Sequence, residues 1–174
     1  MKKILLGAVV VCLCGCANER YEKAAGKTIL VYQAAEGSPG DKKCMDFVGT
    51  CIVLQTPEPA MQLNGFEFKP HITNSPEKHN QLELLLNREQ SLSFEKLSEI
   101  CVNKGQRIAF VYQNKILHAP KVRTKLQTRG VVLDFCNPQI FKIVLASLRG
   151  QLPPAYDFSK DKAWNMCDPS SENK

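Results

Sequence analysis

The sequence predicts an α+β domain: a two-layer fold with two helices packed on one face of an antiparallel sheet, preceded by an N-terminal β-rich appendage. Three observations predict it. Short β-branched or alternating apolar runs recur between residues 28 and 135, as half-buried strands require. Two stretches, 94–103 and 138–148, instead repeat their apolar residues at helical spacing. From residue 60 on, the order is strand, strand, helix, hairpin, strand, helix, which places both helices on one side of an antiparallel sheet.

At the N-terminus, Lys2 and Lys3 precede an uncharged run over residues 4–13, far short of the ~20 apolar residues a membrane-spanning helix needs. Residues 1–15 read as a secretory signal, and Leu13-Cys14-Gly15-Cys16 resembles a bacterial lipobox with Cys16 as the lipidated residue. Cys14 fits less well because the bulky Leu13 precedes it. Ala17, standing where an Asp would retain a lipoprotein in the inner membrane, favours the outer membrane. The expected location is the bacterial cell envelope, with the chain lipid-anchored and facing the periplasm. Removing 15 of 174 residues leaves 159, enough for one core. Lys2 and Lys3 leave with the signal, so the formal charge of +6 becomes +4, too mild a balance to call for nucleic acid.

Residues 16–27 read as a tether and 28–59 as the appendage. Within the latter, 28–33 and 51–54 are strand candidates, 36–41 is a loop by composition, and Thr56-Pro57-Glu58-Pro59 marks a junction, since two prolines deny a strand its donors. Residues 60–155 form the main module. There, 66–72 and 81–86 pair as a hairpin across Asn74-Ser75-Pro76. Ser91 or Ser93 caps a helix over 94–103, and Gly105 ends it. Residues 107–112 and 115–118 form a hairpin across Gln113-Asn114, where Asn114 tolerates positive φ. Lys121, Arg123 and Lys125 alternate along a further predicted strand and share one face, with Val122, Thr124 and Leu126 on the other and Arg129 nearby. After the strand at 131–135, Asn137 caps a helix with Pro138 at its first position. Ile140, Phe141, Val144, Leu145 and Leu148 form the inner face of that helix. Gly150, Pro153 and Pro154 stop it, and 156–174 is a polar tail with Trp164.

Five cysteines remain after the signal and Cys16: Cys44, Cys51, Cys101, Cys136 and Cys167. In an oxidising compartment they form disulfides or serve as small core residues. Cys44 with Cys51 is the favoured pair, because they lie close in sequence about a turn-like segment. A second bridge between Cys101 and Cys136 becomes available if the two helices run antiparallel. No C-x-x-C, G-x-S-x-G, H-E-x-x-H or glycine-rich phosphate loop is present, so no metal, no cofactor and no catalytic residue is expected. His71, His79 and His118 stand beside those cysteines, but a packed or solvated role suits each better than a Cys–His nucleophile pair. Asp134 reads as a strand-end cap.

Residues 94–153 resemble the head subdomain of the first periplasmic domain of SecD, from the SecDF protein-export family. Phe94 and Leu97 match its first helix, Asn103 and Gly105 that helix's end, and Ile108-Ala109-Phe110-Val111 a strand. Lys115-Ile116-Leu117-His118-Ala119-Pro120 matches a strand with an Ala-Pro exit, Gly130 a glycine before the next strand, and Gly150-Gln151-Leu152-Pro153 the terminal Gly-x-Leu-Pro. Residues 65–86 match more loosely the hairpin ahead of the helix. Gln113-Asn114 replaces the family's Asp-Gly turn, and the membrane helices that carry the family's motor do not follow. The resemblance therefore implies the fold and a part in contacting polypeptides or envelope proteins, and no motor activity. Three classes of function remain open: a non-catalytic binding or adaptor module linked to protein export or assembly, a structural or inhibitory lipoprotein with one dedicated partner, and a cysteine-dependent enzyme. For the first, the candidate binding residues are Gln113, Asn114, Lys121, Arg123, Lys125 and Arg129, the partner a protein or an extended polypeptide, and the membrane is reached through the lipid.

Overall fold

The computed structural model describes residues 20–38, 40–73 and 79–152. The expected signal at 1–15, Cys16, Ala17, the expected turn at 74–76, Pro153 and the expected tail with Trp164 and Cys167 lie outside them. The strands are β1 (Glu22–Lys23), β2 (Thr28–Glu36), β3 (Cys44–Phe47), β4 (Thr50–Leu54), β5 (Met61–Asn64), β6 (Glu67–His71), β7 (Asn80–Leu85), β8 (Arg107–Tyr112), β9 (Lys115–His118) and β10 (Gly130–Phe135). The helices are α1 (Arg88–Asn103) and α2 (Pro138–Leu148). The fold is two-layer α+β, and every strand pair is antiparallel. The strands divide between two sheets, one of four strands in the order β1-β6-β7-β10 and one of six, with the order β3-β4-β2-β8-β9 and β5 also on β2.

Residues 28–59, expected as an appendage, hold the middle of the six-stranded sheet. β2 pairs with β8 along one edge and with β5 and then β4 along the other. Its run TILVYQAA is apolar on both faces because both are covered: Ile29 and Val31 enter the main core, while Tyr32 and Ala34 enter a second cluster with Ile52, Ala109, Val111, Ile116 and Ala119. Pro57 and Pro59 do interrupt the backbone, but only between β4 and β5, which return to the same strand. The six-stranded sheet rolls until β3 lies against β9, where the Phe47 ring meets the His118 imidazole edge-on at 6.4 Å. Small side chains at Ala34, Ala109 and Ala119, each at most 1% exposed, give that roll room for its own interior.

Both helices share the main core with the inner faces of the two sheets. In α1, Phe94, Leu97 and Cys101 are buried, with Phe94 against Phe110 at 6.1 Å between ring centroids. In α2, Phe141 meets Phe135 at 5.5 Å, and the buried Tyr112 hydroxyl is 2.7 Å from Ser147 Oγ. α1 begins six residues before Phe94, and its cap is neither Ser91 nor Ser93. Asn87 accepts from Gln90 N at 2.8 Å while Gln90 Oε1 accepts from Asn87 N at 3.0 Å, a reciprocal capping box that satisfies two otherwise free N–H groups. α2 starts as expected, with Asn137 Oδ1 accepting from Gln139 N and Pro138 next in line.

The expected tether, 16–27, is also folded from Tyr21 onward. β1 pairs with β6, Ala24 is buried and donates to Phe66 O, and Ala25 donates to Leu148 O. Gly26, at φ +61°, then turns the chain toward β2.

Candidate binding surface

The basic segment after β9 is not a strand. Lys121 makes one bridge, to Arg107, and the rest runs irregularly as a strap along α1 in the opposite direction. Helix side chains hold it where a neighbouring strand would have done so, two of them bonding its backbone. Ser98 Oγ accepts from Leu126 N at 2.9 Å, Ser91 Oγ donates to Thr128 O at 2.6 Å, and Gln127 Nε2 donates to Glu95 Oε1 at 3.0 Å. Val122 N donates to Gln106 O at the α1 C-terminus, and Leu86 N donates to Arg129 O near its start. Alternation still holds in part, because Val122 is buried and Leu126 half-buried while Lys121, Arg123, Lys125 and Arg129 are exposed.

The four cations are not equivalent. Lys125 Nζ lies 3.0 Å from Glu95 and 3.1 Å from Glu99. Those hydrogen bonds raise its pKa, and Glu95 is lowered in turn, first by Gln127 and then by Lys125. Lys125 is thereby committed to α1. Lys121, Arg123 and Arg129 extend to solvent along the strap.

Gln113 and Asn114 join β8 to β9 with φ of +47° and +62°, the left-handed pair that a two-residue hairpin turn demands. The turn and Lys121 flank β9 at its opposite ends, so the structure does not bring the sequence-predicted residues into one patch. Thr28, at the start of β2, shares the turn's end of the sheet, and Glu36 shares the other end with Arg107 and Lys121. There Arg107 holds Glu36 in an ion pair and donates to Ala119 O at 2.8 Å.

The cysteines separate into distinct roles. Cys44 and Cys51 form a disulfide across the β3–β4 hairpin, with Cα atoms 5.2 Å apart. Cys136 is also disulfide-bonded, but not to Cys101, a free and fully buried thiol whose Sγ lies 3.6 Å from Arg107 O. The candidate Cys101–Cys136 bridge is therefore absent. Cys101 packs inward against the core between α1 and β8, and its burial raises the thiol's pKa, which keeps it protonated and a poor nucleophile. His118 packs beside Phe47, where burial lowers its pKa and the Asp134 carboxylate partly opposes that. Asp134 accepts from Gln81 Nε2 at 2.7 Å across the β7–β10 register, a partner within the sheet where the sequence suggested a strand-end cap. His71 pairs with Glu83, and His79 is exposed. Among the described residues, no three His, Cys, Asp or Glu side chains gather as metal ligands do, and no helix is long and apolar enough to cross a membrane.

The surface that sequence reading missed is the four-stranded sheet's own outline. The six-stranded sheet rolls its terminal strands together, whereas the four-stranded sheet ends on β1 at one side and β10 at the other. Among the described residues, no strand pairs with the outer side of β10. Phe135 closes toward Ile116 and Leu117 of β9 around a shallow pocket, and within residues 130–133 Val132 is 44% exposed while Val131 and Leu133 are buried. The strap delivers Arg129 directly to the start of this edge. At the opposite edge, Tyr21 donates to Glu83 Oε1 at 2.8 Å, His71 Nε2 lies 3.0 Å from Glu83 Oε2, and Arg149 Nε donates to Glu22 at 2.6 Å. Hydrogen bonds from His71 and then Tyr21 hold the Glu83 carboxyl below its ordinary pKa. The signals for β10 were its β-branched run and the glycine before it, but only the pairing order reveals that it is terminal.

No protein-family model matches the chain, and no curated protein matches it. Among solved structures, it is similar to a chain described as a membrane component SecDF that enhances protein export, at 12% identity and a TM-score of 0.48. The match covers 74% of this chain and 64% of that one. A likeness at this level says nothing about what the chain does.

Proposed function

We propose that this chain is a lipid-anchored binding module of the bacterial envelope, held through an acylated Cys16, that captures an extended protein segment without turning it over. The observation that supports the reading is the outer side of β10, with which no strand pairs among the described residues. Unpaired backbone N–H and C=O groups along such an edge accept an added strand with little regard to its sequence. Arg129 at the head of the edge, with Arg123 and Lys121 along the strap, sets the rate and salt dependence of capture more than its final strength. The resemblance of residues 94–153 to the SecD head points to the same class, contact with polypeptides, and a link to protein export or assembly is part of the proposal. Within this reading, Ala17 favours the outer membrane for the anchor.

A photocrosslinking p-benzoylphenylalanine tests it, placed in the full chain at position 132 and, in a second variant, at the exposed Leu92 on the outer face of α1. The probe is a synthetic twelve-residue peptide that alternates Val or Thr with Glu. Adducts from position 132 and none from position 92 are expected. Equal yields, or adducts from position 92 alone, would move the site off β10.

A further inference from the structure

We infer that the β1 edge of the four-stranded sheet lies against the bilayer and that Arg20, Lys23 and Lys27 contact the phosphates of anionic lipid headgroups. The inference rests on lipidation at Cys16 and adds to it the face the domain presents and the lipid it meets.

A tether of the usual kind would let the domain tumble at a distance from its anchor, but this chain folds almost at once. Tyr21 is already bonded to Glu83, Glu22 to Arg149, and Ala24 and Ala25 donate to Phe66 O and Leu148 O. Only five steps separate Cys16 from Tyr21, and a fully extended chain covers at most about 3.6 Å per residue, so the docked edge stays within about 18 Å of the acylated residue. The β1 side is thus the part of the sheet tied nearest the anchor, and β10 lies three strand spacings of ~4.8 Å, about 14 Å, further across it. Together with the basic residues along the β1 edge, that nearness turns the β1 side toward the bilayer in this inference and β10 away from it.

The charges along this edge suit that placement. Arg20 and Lys23 are exposed and Lys27 is half-exposed, while Glu22 is already neutralised by Arg149. Glu67, opposite Lys23 in the register, is a second acidic residue beside this edge. A cation within a Debye length of an anionic leaflet is attracted to it, and the short connection keeps these three within that distance. The capture edge at β10 and the contact edge at β1 then occupy opposite sides of one small sheet, and a bound segment would not compete with lipid.

The test uses the lipidated full chain in vesicles of phosphatidylethanolamine and phosphatidylglycerol, with p-benzoylphenylalanine at position 23 or at position 132 and the mass of the N-terminal peptide measured on the same sample. Phospholipid adducts are expected from position 23 and not from position 132. Inserting twenty Gly/Ser residues between Ala17 and Asn18, which adds roughly 25 Å of root-mean-square span, is expected to abolish them, and so is replacing phosphatidylglycerol by phosphatidylcholine. With Cys16 acylated, equal yields from both positions, no adduct from position 23, or adducts that survive the linker or the lipid replacement would overturn this inference and leave the anchor standing. An unmodified Cys16 would overturn both.

Discussion

Val48 and Gln113 hold backbone angles that their side chains resist. Val48, at φ +52°, sits in the β3–β4 turn with its β-branched side chain at the rim of the shallow pocket, and Gln113 opens the β8–β9 turn at +47°. A left-handed L-residue costs about 1–2 kcal/mol, and glycine returns part of that through its looser unfolded chain. Gln113→Gly is therefore expected to raise stability by about 0.5–1 kcal/mol in urea unfolding, with no change if the turn relaxes another way. For the thiols, non-reducing peptide mapping is expected to recover Cys44 joined to Cys51, and Cys101 is expected to resist alkylation until the protein unfolds. Labelling of Cys101 in the native state would contradict its place between α1 and β8. His118 carries a pH dependence. Its folded pKa is depressed, so the unfolded state takes up the proton first; its contribution is complete above about pH 6.5 and is lost as pH falls toward the folded value. Stability measured from pH 8 to pH 5 should decline, and His118→Gln should flatten that decline. At this scale the sequence was partly legible: the Cys44–Cys51 pair, the Asn114 turn and the Asn137-Pro138 cap follow from local chemistry. The fate of Cys101 does not, because it depends on which way α1 turns its inner face against β8.

The strap along α1 shows how a correct pattern can lead to the wrong element. Alternating Lys121, Arg123 and Lys125 reads as a strand, and Val122 does turn inward, but no neighbouring strand is available once β8 and β9 have paired. The side chains of α1 take over the bonding. Ser98, fully buried, is the main clamp, since it donates to Glu95 O and accepts from Leu126 N. Ser98→Ala leaves that N–H unsatisfied and is expected to cost about 1–2 kcal/mol, with faster amide exchange confined to residues 122–128. An unchanged exchange pattern would show that the strap is held elsewhere. Lys125 belongs to the same clamp, so a charge reversal aimed at partner capture should change Lys121, Arg123 and Arg129 and leave Lys125 in place. The early start of α1 was legible in Asn87-Arg88-Glu89-Gln90, a capping-box pattern that the more familiar serines downstream obscured. The centrality of β2 was less so, because local composition marks the prolines after β4 but not the return of β5 to the same strand.

Across the whole molecule, the two sheets treat their edges differently, and the proposed function follows from that difference. One sheet rolls its terminal strands together. The other is pinned at β1 by the N-terminal segment and, among the described residues, has no strand beyond β10. The pin is acid-sensitive: because the Glu83 pKa is depressed by His71 and Tyr21, its contribution is present above the ordinary carboxylate pKa and is lost as pH falls through the folded value. Below about pH 4, Tyr21 should detach ahead of global unfolding, and Glu83→Gln should remove that early step from the tyrosine signal. The β6–β7 and β8–β9 hairpins were legible in the sequence, but the rest of the sheet order was not, since pairing between residues as distant as Tyr21 and Glu83 leaves no local pattern. The central claim is that an extended segment adds to the outer side of β10, and amide hydrogen exchange on the full chain, with and without the alternating Val/Thr–Glu peptide, tests it most directly. Added protection at residues 130–133, with the strap and the outer face of α1 unchanged, is the predicted result; protection confined to the strap or to α1, with β10 exchanging as before, would contradict it.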